Sequence, residues 1–326
     1  MEYTLNIRGR LLDLSTPKVM GILNATPDSF YSGSRKQTEK EIAECANQIV
    51  EEGGSIIDVG AFSTRPGGAV EVGEEEETER LKRALAIVRR EQPDVAVSVD
   101  TYRPLVARRC VEEFGADIIN DVSEGGITGI VDTPIHEQGD MFRTVGELKV
   151  PYILMSVKSN LHGMLIAFAE EVQTLRDYGA KDIILDPGYC FGKTREQNFE
   201  ILSQAERLLT LDLPVLAGVS RKSMIFKTIG GDSTTSLNGT TVLNTVSLMK
   251  GASILRVHDV REAWEAVELT QQQPLPLAVH SSPFLLWQST NSRAMEGSDV
   301  LLAFPPFVFH SSIFTLKELF VYHFSL

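Results

Sequence analysis

The chain has 326 residues, 43% of them hydrophobic, with 31 Lys and Arg against 44 Asp and Glu and a formal net charge of -13. That acidity argues against nucleic acid or an anionic membrane surface as the main partner. Its three cysteines, Cys45, Cys110 and Cys190, are odd in number and lack paired spacing, which argues against a disulfide framework and for a reducing cytoplasm. No signal-peptide pattern opens the sequence, and no apolar run reaches membrane length.

Residues 3–14 alternate well enough to predict a hairpin or short strand pair ahead of the first core strand. The first buried strand is read at 19–24 and the first helix at 38–51, with Thr38 as its cap and Gly53 and Gly54 as a left-handed stop. The second strand spans 55–60. Gly73 then introduces Glu74, Glu75, Glu76 and Glu77, a solvated helix start favoured by the macrodipole, and the helix continues over 78–90.

A third strand at 95–100, a helix at 103–114 and a fourth strand at 117–121 follow, then a long loop at 123–139. The fifth strand, 152–156, is followed by a helix at 164–178. The sixth, 182–186, precedes a helix at 196–209, and the seventh and eighth lie at 215–220 and 253–258. Strand then helix about eight times predicts an α/β fold, a (β/α)8 TIM barrel with an N-terminal β-hairpin, over residues 1–273. From Pro274 periodicity fails, and Pro276, Pro283, Pro305 and Pro306 break any long element. Residues 274–326 are therefore read as an irregular, aromatic C-terminal tail of unassigned role.

Each predicted strand stops on a polar residue or loop, and in this architecture those endings converge on one mouth. Asn24 is either a turn residue or a single amide ligand for Mg²⁺, a cation that keeps most of its waters. Thr64 offers a hydroxyl, Arg65 a planar fork for phosphate, and Pro66 shapes a loop with Gly67 and Gly68. Asp100, Asn120 and Asp186 look like readers of a flat, donor-rich heterocycle, because a carboxylate accepts two parallel N–H bonds. Asp121 points to the opposite face by alternation and is read as structural.

Phe191 is placed to wall an aromatic ligand, and Lys193 is read as a solvated loop lysine. Ser220, Arg221, Lys222 and Ser223 occupy a phosphate-reading corner, with Lys222 inward and Arg221 outward. Arg256 and His258 are two apart, on one face, and form an anion clamp. No cysteine, histidine and aspartate set has zinc spacing, and no serine sits in a nucleophile elbow.

The strings GILNATPDSF, STRPG, SVDT, INDVS, DPGYCFGK, SRKS and RVHD, in this order and spacing, resemble the dihydropteroate synthase family over about residues 3 to 270. The resemblance implies a transferase of folate biosynthesis that condenses 6-hydroxymethyl-7,8-dihydropterin diphosphate with 4-aminobenzoate, giving 7,8-dihydropteroate and pyrophosphate. It implies that Asp100, Asn120, Asp186 and Lys222 hold the pterin, that Asn24 ligates Mg²⁺, and that Arg65, Arg256 and His258 clamp the diphosphate. Thr64, Pro66, Phe191, Lys222 and Ser223 then form the aminobenzoate pocket, where sulfonamides compete. The resemblance also implies a homodimer.

Three departures stand out: Cys190 where the family usually has glycine; Met155, Ser156, Val157, Lys158 where the fifth strand usually ends in Met-His-Met, with a shorter stretch following; and the tail after residue 273, which has no counterpart in the family. These keep a pterin-binding relative without full turnover as an alternative. A methyltetrahydrofolate:corrinoid methyltransferase is another, although it has no need of the Arg65, Lys222, Arg256 and His258 set.

Overall fold

Ten strands are present among the described residues, which are 3–25, 35–61, 72–126 and 140–272 of the computed structural model. Strands β1 (Thr4–Ile7) and β2 (Arg10–Asp13) pair antiparallel, and Arg8 and Gly9 turn between them with φ of 50° and 79°. A two-residue turn with both φ positive matches the natural twist of a hairpin. The other eight are β3 (Lys18–Asn24), β4 (Ile56–Gly60), β5 (Ala96–Asp100), β6 (Ile118–Asp121), β7 (Tyr152–Met155), β8 (Ile183–Asp186), β9 (Leu216–Ala217) and β10 (Ile254–Val257). All are parallel in the order β8-β7-β6-β5-β4-β3-β10-β9, and a bridge between Leu185 and Val215 joins the two ends of the ladder. Closure removes the open edges that parallel strands would otherwise expose.

The helices are α1 (Arg35–Glu51), α2 (Glu74–Glu91), α3 (Pro104–Glu112), α4 (Asp140–Leu148), α5 (Leu161–Asp177), α6 (Arg195–Ser203), α7 (Ser223–Ile229), α8 (Leu237–Met249) and α9 (Val260–Gln271). Several limits differ from expectation. Helix α1 starts three residues before Thr38, so Thr38 is not its cap. Helix α5 also starts earlier, because Asn160 caps it by accepting from Gly163 N–H. The single helix expected at 196–209 is two: α6 opens on a Thr194–Gln197 capping box, and a 3-10 segment, Ala205–Leu211, follows it. The tail from residue 274 lies outside the described residues.

Two apolar layers sit on either side of the strands. The lumen is filled by Met20, Ile56, Ala96, Ile118, Ile153, Ile184, Leu216 and Ile254, one from each barrel strand, and Leu5, Ile7 and Leu14 of the hairpin region pack with them. The hairpin is tied to the barrel by Arg8, which pairs with Asp117 at 2.8 Å, and by the Asn6 N–H, which donates to Asp182. The outer layer, under the helices, takes the alternate residues: Val19, Ile57, Val59, Val97, Val99, Ile119, Leu154, Leu185 and Leu255. One end of the lumen is thus plugged with hydrocarbon, and the other is left to the strand endings.

The four glutamates that open α2 are not all solvated. Glu77 is fully buried, accepting from the Thr101 hydroxyl at 2.6 Å and from Arg103, whose guanidinium also donates to Val72 O. Helical spacing turns the fourth glutamate inward toward the start of α3, where a cation compensates its desolvation.

Candidate active site

The lumen layer fixes which polar residues face the mouth, because side chains two and four positions on along a strand share its face. Counting up from Met20 gives Asn24, from Ile56 gives Asp58, from Ala96 gives Asp100, and from Ile118 gives Asn120. From Ile184 the same step gives Asp186, and from Ile254 it gives Arg256 and then His258. Asp121 falls on the outer face, where it accepts from the Ser123 and Gly125 N–H groups and from the Tyr152 and Ser123 hydroxyls. Its structural reading agrees with that geometry.

Asp58 is the residue that sequence reasoning passed over. It is fully buried, and its Oδ2 accepts from Arg256 Nε at 2.7 Å and from Asn120 Nδ2 at 3.1 Å. The signal was present in the sequence as a carboxylate in the middle of Ile56, Ile57, Val59 and Gly60. Arg256 Nη2 donates to Asp100 Oδ2 at 2.8 Å, so one guanidinium bridges two strand carboxylates. Its Nη1 has no hydrogen-bond partner among the described residues.

Burial pushes the Asp100 carboxyl up to about 7. Arg256 opposes that rise, and the negative charges of Asp58, Glu77 and Asp121 add to it. Burial alone would lower the Arg256 guanidinium, but Asp58 and Asp100 raise it further. Asp58 Oδ1 and Asp100 Oδ1 are buried without a hydrogen-bond partner among the described residues. Two buried acceptors aimed into one mouth are a match for N–H donors of a ligand.

Across the mouth, Asp186 Oδ1 accepts from Gly188 N–H at 2.7 Å, and burial raises its carboxyl against the pull of Lys222. Burial lowers the Lys222 ammonium against the pull of Asp186. Lys222 faces inward as expected; its Nζ donates to Tyr189 O at 2.8 Å and lies 4.8 Å from the Phe191 ring centroid. Lys193, expected in solvent, is instead half-buried, with Nζ donating to Ser156 O, Gly188 O and Phe191 O at 2.8, 2.9 and 3.1 Å. Gly188 O and Phe191 O come from the loop after β8 itself, and Ser156 O from the end of neighbouring β7, a partner that only strand pairing delivers.

Cys190 adopts φ of 68° in this loop, a left-handed conformation that glycine takes without steric cost. Cys190→Gly is expected to raise stability by about 0.5–1 kcal/mol, the relieved strain minus the added freedom of the unfolded chain. Urea denaturation reads this directly, and a fall in stability would show that thiol packing outweighs the strain.

At the seventh and eighth endings, Ser220 Oγ accepts from the His258 N–H at 3.1 Å and lies 3.1 Å from His258 Nδ1, which sets the ring's orientation. Arg221 turns outward and binds Asp259 through Nε and Nη2 at 2.8 and 2.5 Å. That ion pair ties the corner after β9 to the start of α9. Ser223 is the first residue of α7, next to Lys222. Asn24 is exposed at the end of β3, and its side chain has no hydrogen-bond partner among the described residues. Thr64, Arg65 and Pro66 lie outside the described residues. Among those described, no group of three or more His, Cys, Asp and Glu residues is arranged to hold a metal ion.

The altered fifth ending is held by a carboxylate from the loop after β6. Glu124 Oε1 accepts from the Ser156 hydroxyl at 2.8 Å and from Val157 N–H at 3.1 Å, and Lys158 pairs with Oε2 at 3.8 Å. Glu171 of α5 is buried close by, with Oε2 unpartnered among the described residues. Burial first, and then the Glu124 charge, raise its carboxyl to about 8.

A carboxyl raised on folding contributes stability that is fully present below its unfolded pKa of about 4.5 and is lost as pH rises through about 8. Glu171→Gln, which keeps the shape of the neutral acid, is therefore expected to be near neutral at pH 5 and to stabilise by about 4 kcal/mol at pH 9. The same difference at both pH values, read by urea denaturation, would contradict the assignment.

Residues 20–258 match the family model described as pterin binding enzyme. A dihydropteroate synthase of Escherichia coli (strain K12) is 36% identical over 279 residues, covering 81% of this chain and 94% of the relative. Among solved structures, a Xanthomonas albilineans dihydropteroate synthase with 4-aminobenzoic acid superposes with a TM-score of 0.73 at 31% identity, covering 83% of this chain and 98% of the other. A Yersinia pestis dihydropteroate synthase in complex with a sulfonamide drug gives 0.72 at 32% identity, covering 83% and 100%.

Proposed function

This chain belongs to the pterin-binding enzymes, in the dihydropteroate synthase family, and on that premise we propose how its own residues perform the family's condensation. The reaction joins 6-hydroxymethyl-7,8-dihydropterin diphosphate to 4-aminobenzoate, releasing pyrophosphate and giving 7,8-dihydropteroate in folate biosynthesis. The observation that carries the residue assignment is the convergence of Asp58, Asp100, Asn120, Asp186, Lys222 and Arg256 on one mouth, with buried carboxylate oxygens awaiting donors.

Asp100, Asn120 and Asp186 read the pterin edge and Lys222 its acceptor side. Arg256 Nη1 and His258, with Arg65 from the segment between β4 and α2, receive the diphosphate. As the carbon–oxygen bond to diphosphate breaks, charge builds on the departing oxygens; Arg256, already held by Asp58 and Asp100, stabilises it without reorganising, and His258 and Arg65 add further positive or hydrogen-bonding partners. The methylene left on the pterin is cation-like, and Asp100, held beside Arg256, offsets that charge. The arylamine, ordered by Thr64, Pro66, Phe191, Lys222 and Ser223, attacks this carbon, the carbon–nitrogen bond forms, and the proton it sheds passes to solvent.

Asn24, exposed at the end of β3 with its side-chain amide unpartnered among the described residues, would hold Mg²⁺, and the bound ion would supply further charge neutralisation on the diphosphate. Sulfonamides compete for the arylamine pocket. No described helix is long and apolar enough to cross a membrane, and the three free thiols favour the cytoplasm. Exposed Ile229, Val242, Met249 and Leu269 on α7, α8 and α9 support a homodimer through these later helices. We propose that the barrel domain spans residues 1–273 and that 274–326 form a tail of unknown role.

Incubation with both substrates and Mg²⁺ tests the reading: pyrophosphate and dihydropteroate are expected in equal amounts. Binding of pterin diphosphate without pyrophosphate release would instead identify a non-catalytic pterin binder. Cys190→Gly is expected to use 4-aminobenzoate as well as the parent or better.

A further inference from the structure

The loop from Asp186 to Lys193 packs backbone against backbone on the end of β7. A Cβ added at Gly188 would sit 2.3 Å from Ser156 O, and Gly188, Cys190 and Gly192 take φ of 62°, 68° and 62°. Three carbonyl oxygens, of Ser156, Gly188 and Phe191, converge in this packing, and such dipoles repel one another unless a donor lies between them. Lys193 supplies it: its three ammonium donors go to Ser156 O, Gly188 O and Phe191 O, which uses the full capacity of a protonated lysine.

None of the three hydrogen-bond partners is a carboxylate. The arrangement therefore fixes a backbone shape and is not a surface ion pair. Burial lowers this ammonium to about 8, consistent with its enclosure. Ser156 is itself held from the other side, its hydroxyl donating to Glu124. The loop carries Phe191, and the Lys222 ammonium stands 4.8 Å from that ring.

We propose that Lys193 is a positioning residue for the arylamine pocket, its ammonium joining the end of β7 to the loop after β8 and so setting where the Phe191 ring stands. The proposal rests on Phe191 walling the aminobenzoate site, as assigned above. It also gives the altered fifth ending a task, since Ser156 contributes a carbonyl to the knot and Glu124 steadies Ser156. A lysine that only stabilised the fold would alter both substrates' kinetics alike or neither. A positioning lysine acts on the arylamine alone.

The test is steady-state kinetics of full-length Lys193→Met and Lys193→Arg proteins with Mg²⁺, varying each substrate in turn, beside thermal unfolding of both variants. In Lys193→Met the KM for 4-aminobenzoate is expected to rise tenfold or more while the KM for pterin diphosphate stays within twofold. Lys193→Arg, which keeps a cation with several N–H donors, is expected to recover most of the difference. An unchanged arylamine KM, or equal rises in both KM values, would overturn the positioning role. Should Lys193→Met not fold, Lys193→Gln reads the same split. Parent protein that turns over while the variants show no split refutes only the role of Lys193; parent protein that neither turns over nor binds the arylamine refutes the site reading, and the proposal with it.

Discussion

Lys222→Ala is expected to lower kcat/KM by about 10³-fold, equivalent to about 4 kcal/mol of transition-state stabilisation. Three losses combine. Asp186 keeps its buried charge but loses the cation that opposes its protonation. Tyr189 O loses its 2.8 Å donor. The Phe191 ring loses the ammonium 4.8 Å from its centroid. A hydrogen bond to a charged group is worth about 1.5–3 kcal/mol, and an uncompensated buried charge costs more. Lys193→Ala, which disturbs the pocket wall and leaves the pterin contacts in place, is expected to cost less in kcat. Equal losses of kcat in the two variants, measured at saturating substrates, would show that the wrong lysine has been placed in the site.

Asp58→Ala is expected to be the most damaging substitution for stability among the mouth residues, by about 3–5 kcal/mol. It removes the acceptor that Arg256 Nε and Asn120 Nδ2 share, leaving a half-buried guanidinium with Asp100 as its one hydrogen-bonded carboxylate among the described residues. The same change frees Arg256 to turn away from the diphosphate position, so surviving folded protein is expected to show a raised KM for pterin diphosphate. Asp58→Asn retains an acceptor oxygen and is expected to fall between the two. Urea denaturation together with pterin diphosphate kinetics checks both effects. Wild-type stability in Asp58→Ala would mean that the guanidinium is held by other groups.

The barrel was legible because its cause is local. Alternating burial along each strand and amphipathic spacing along each helix repeat down the chain, and both follow from backbone geometry that every residue shares. The inward placement of Asp100, Asn120, Asp186 and Arg256 and the outward turn of Asp121 follow from the same parity, whereas Lys222 and Arg221 lie past the short β9 in a turn where Arg221 takes φ of 53°, and the turn sets their directions. Helix limits were less legible, since caps such as Asn160 and Thr194 compete with neighbouring polar residues that look equally suited in sequence.

By itself, then, the sequence determined the fold class, the face on which each polar ending lies, and, through its matched strings, the chemistry those endings serve. Tertiary structure decided which endings meet. Asp58 and Arg256 are 198 positions apart and become neighbours only because β3 stands between β4 and β10 in the ladder. The pairing of β7 with β8 likewise brings Lys193 to Ser156 O, and the packing of α2 against α3 brings Glu77 to Arg103. The physical reason is one of range. Burial parity is set within a few residues, whereas the partner of a buried charge is chosen by whichever donor or acceptor the folded chain delivers within hydrogen-bonding distance.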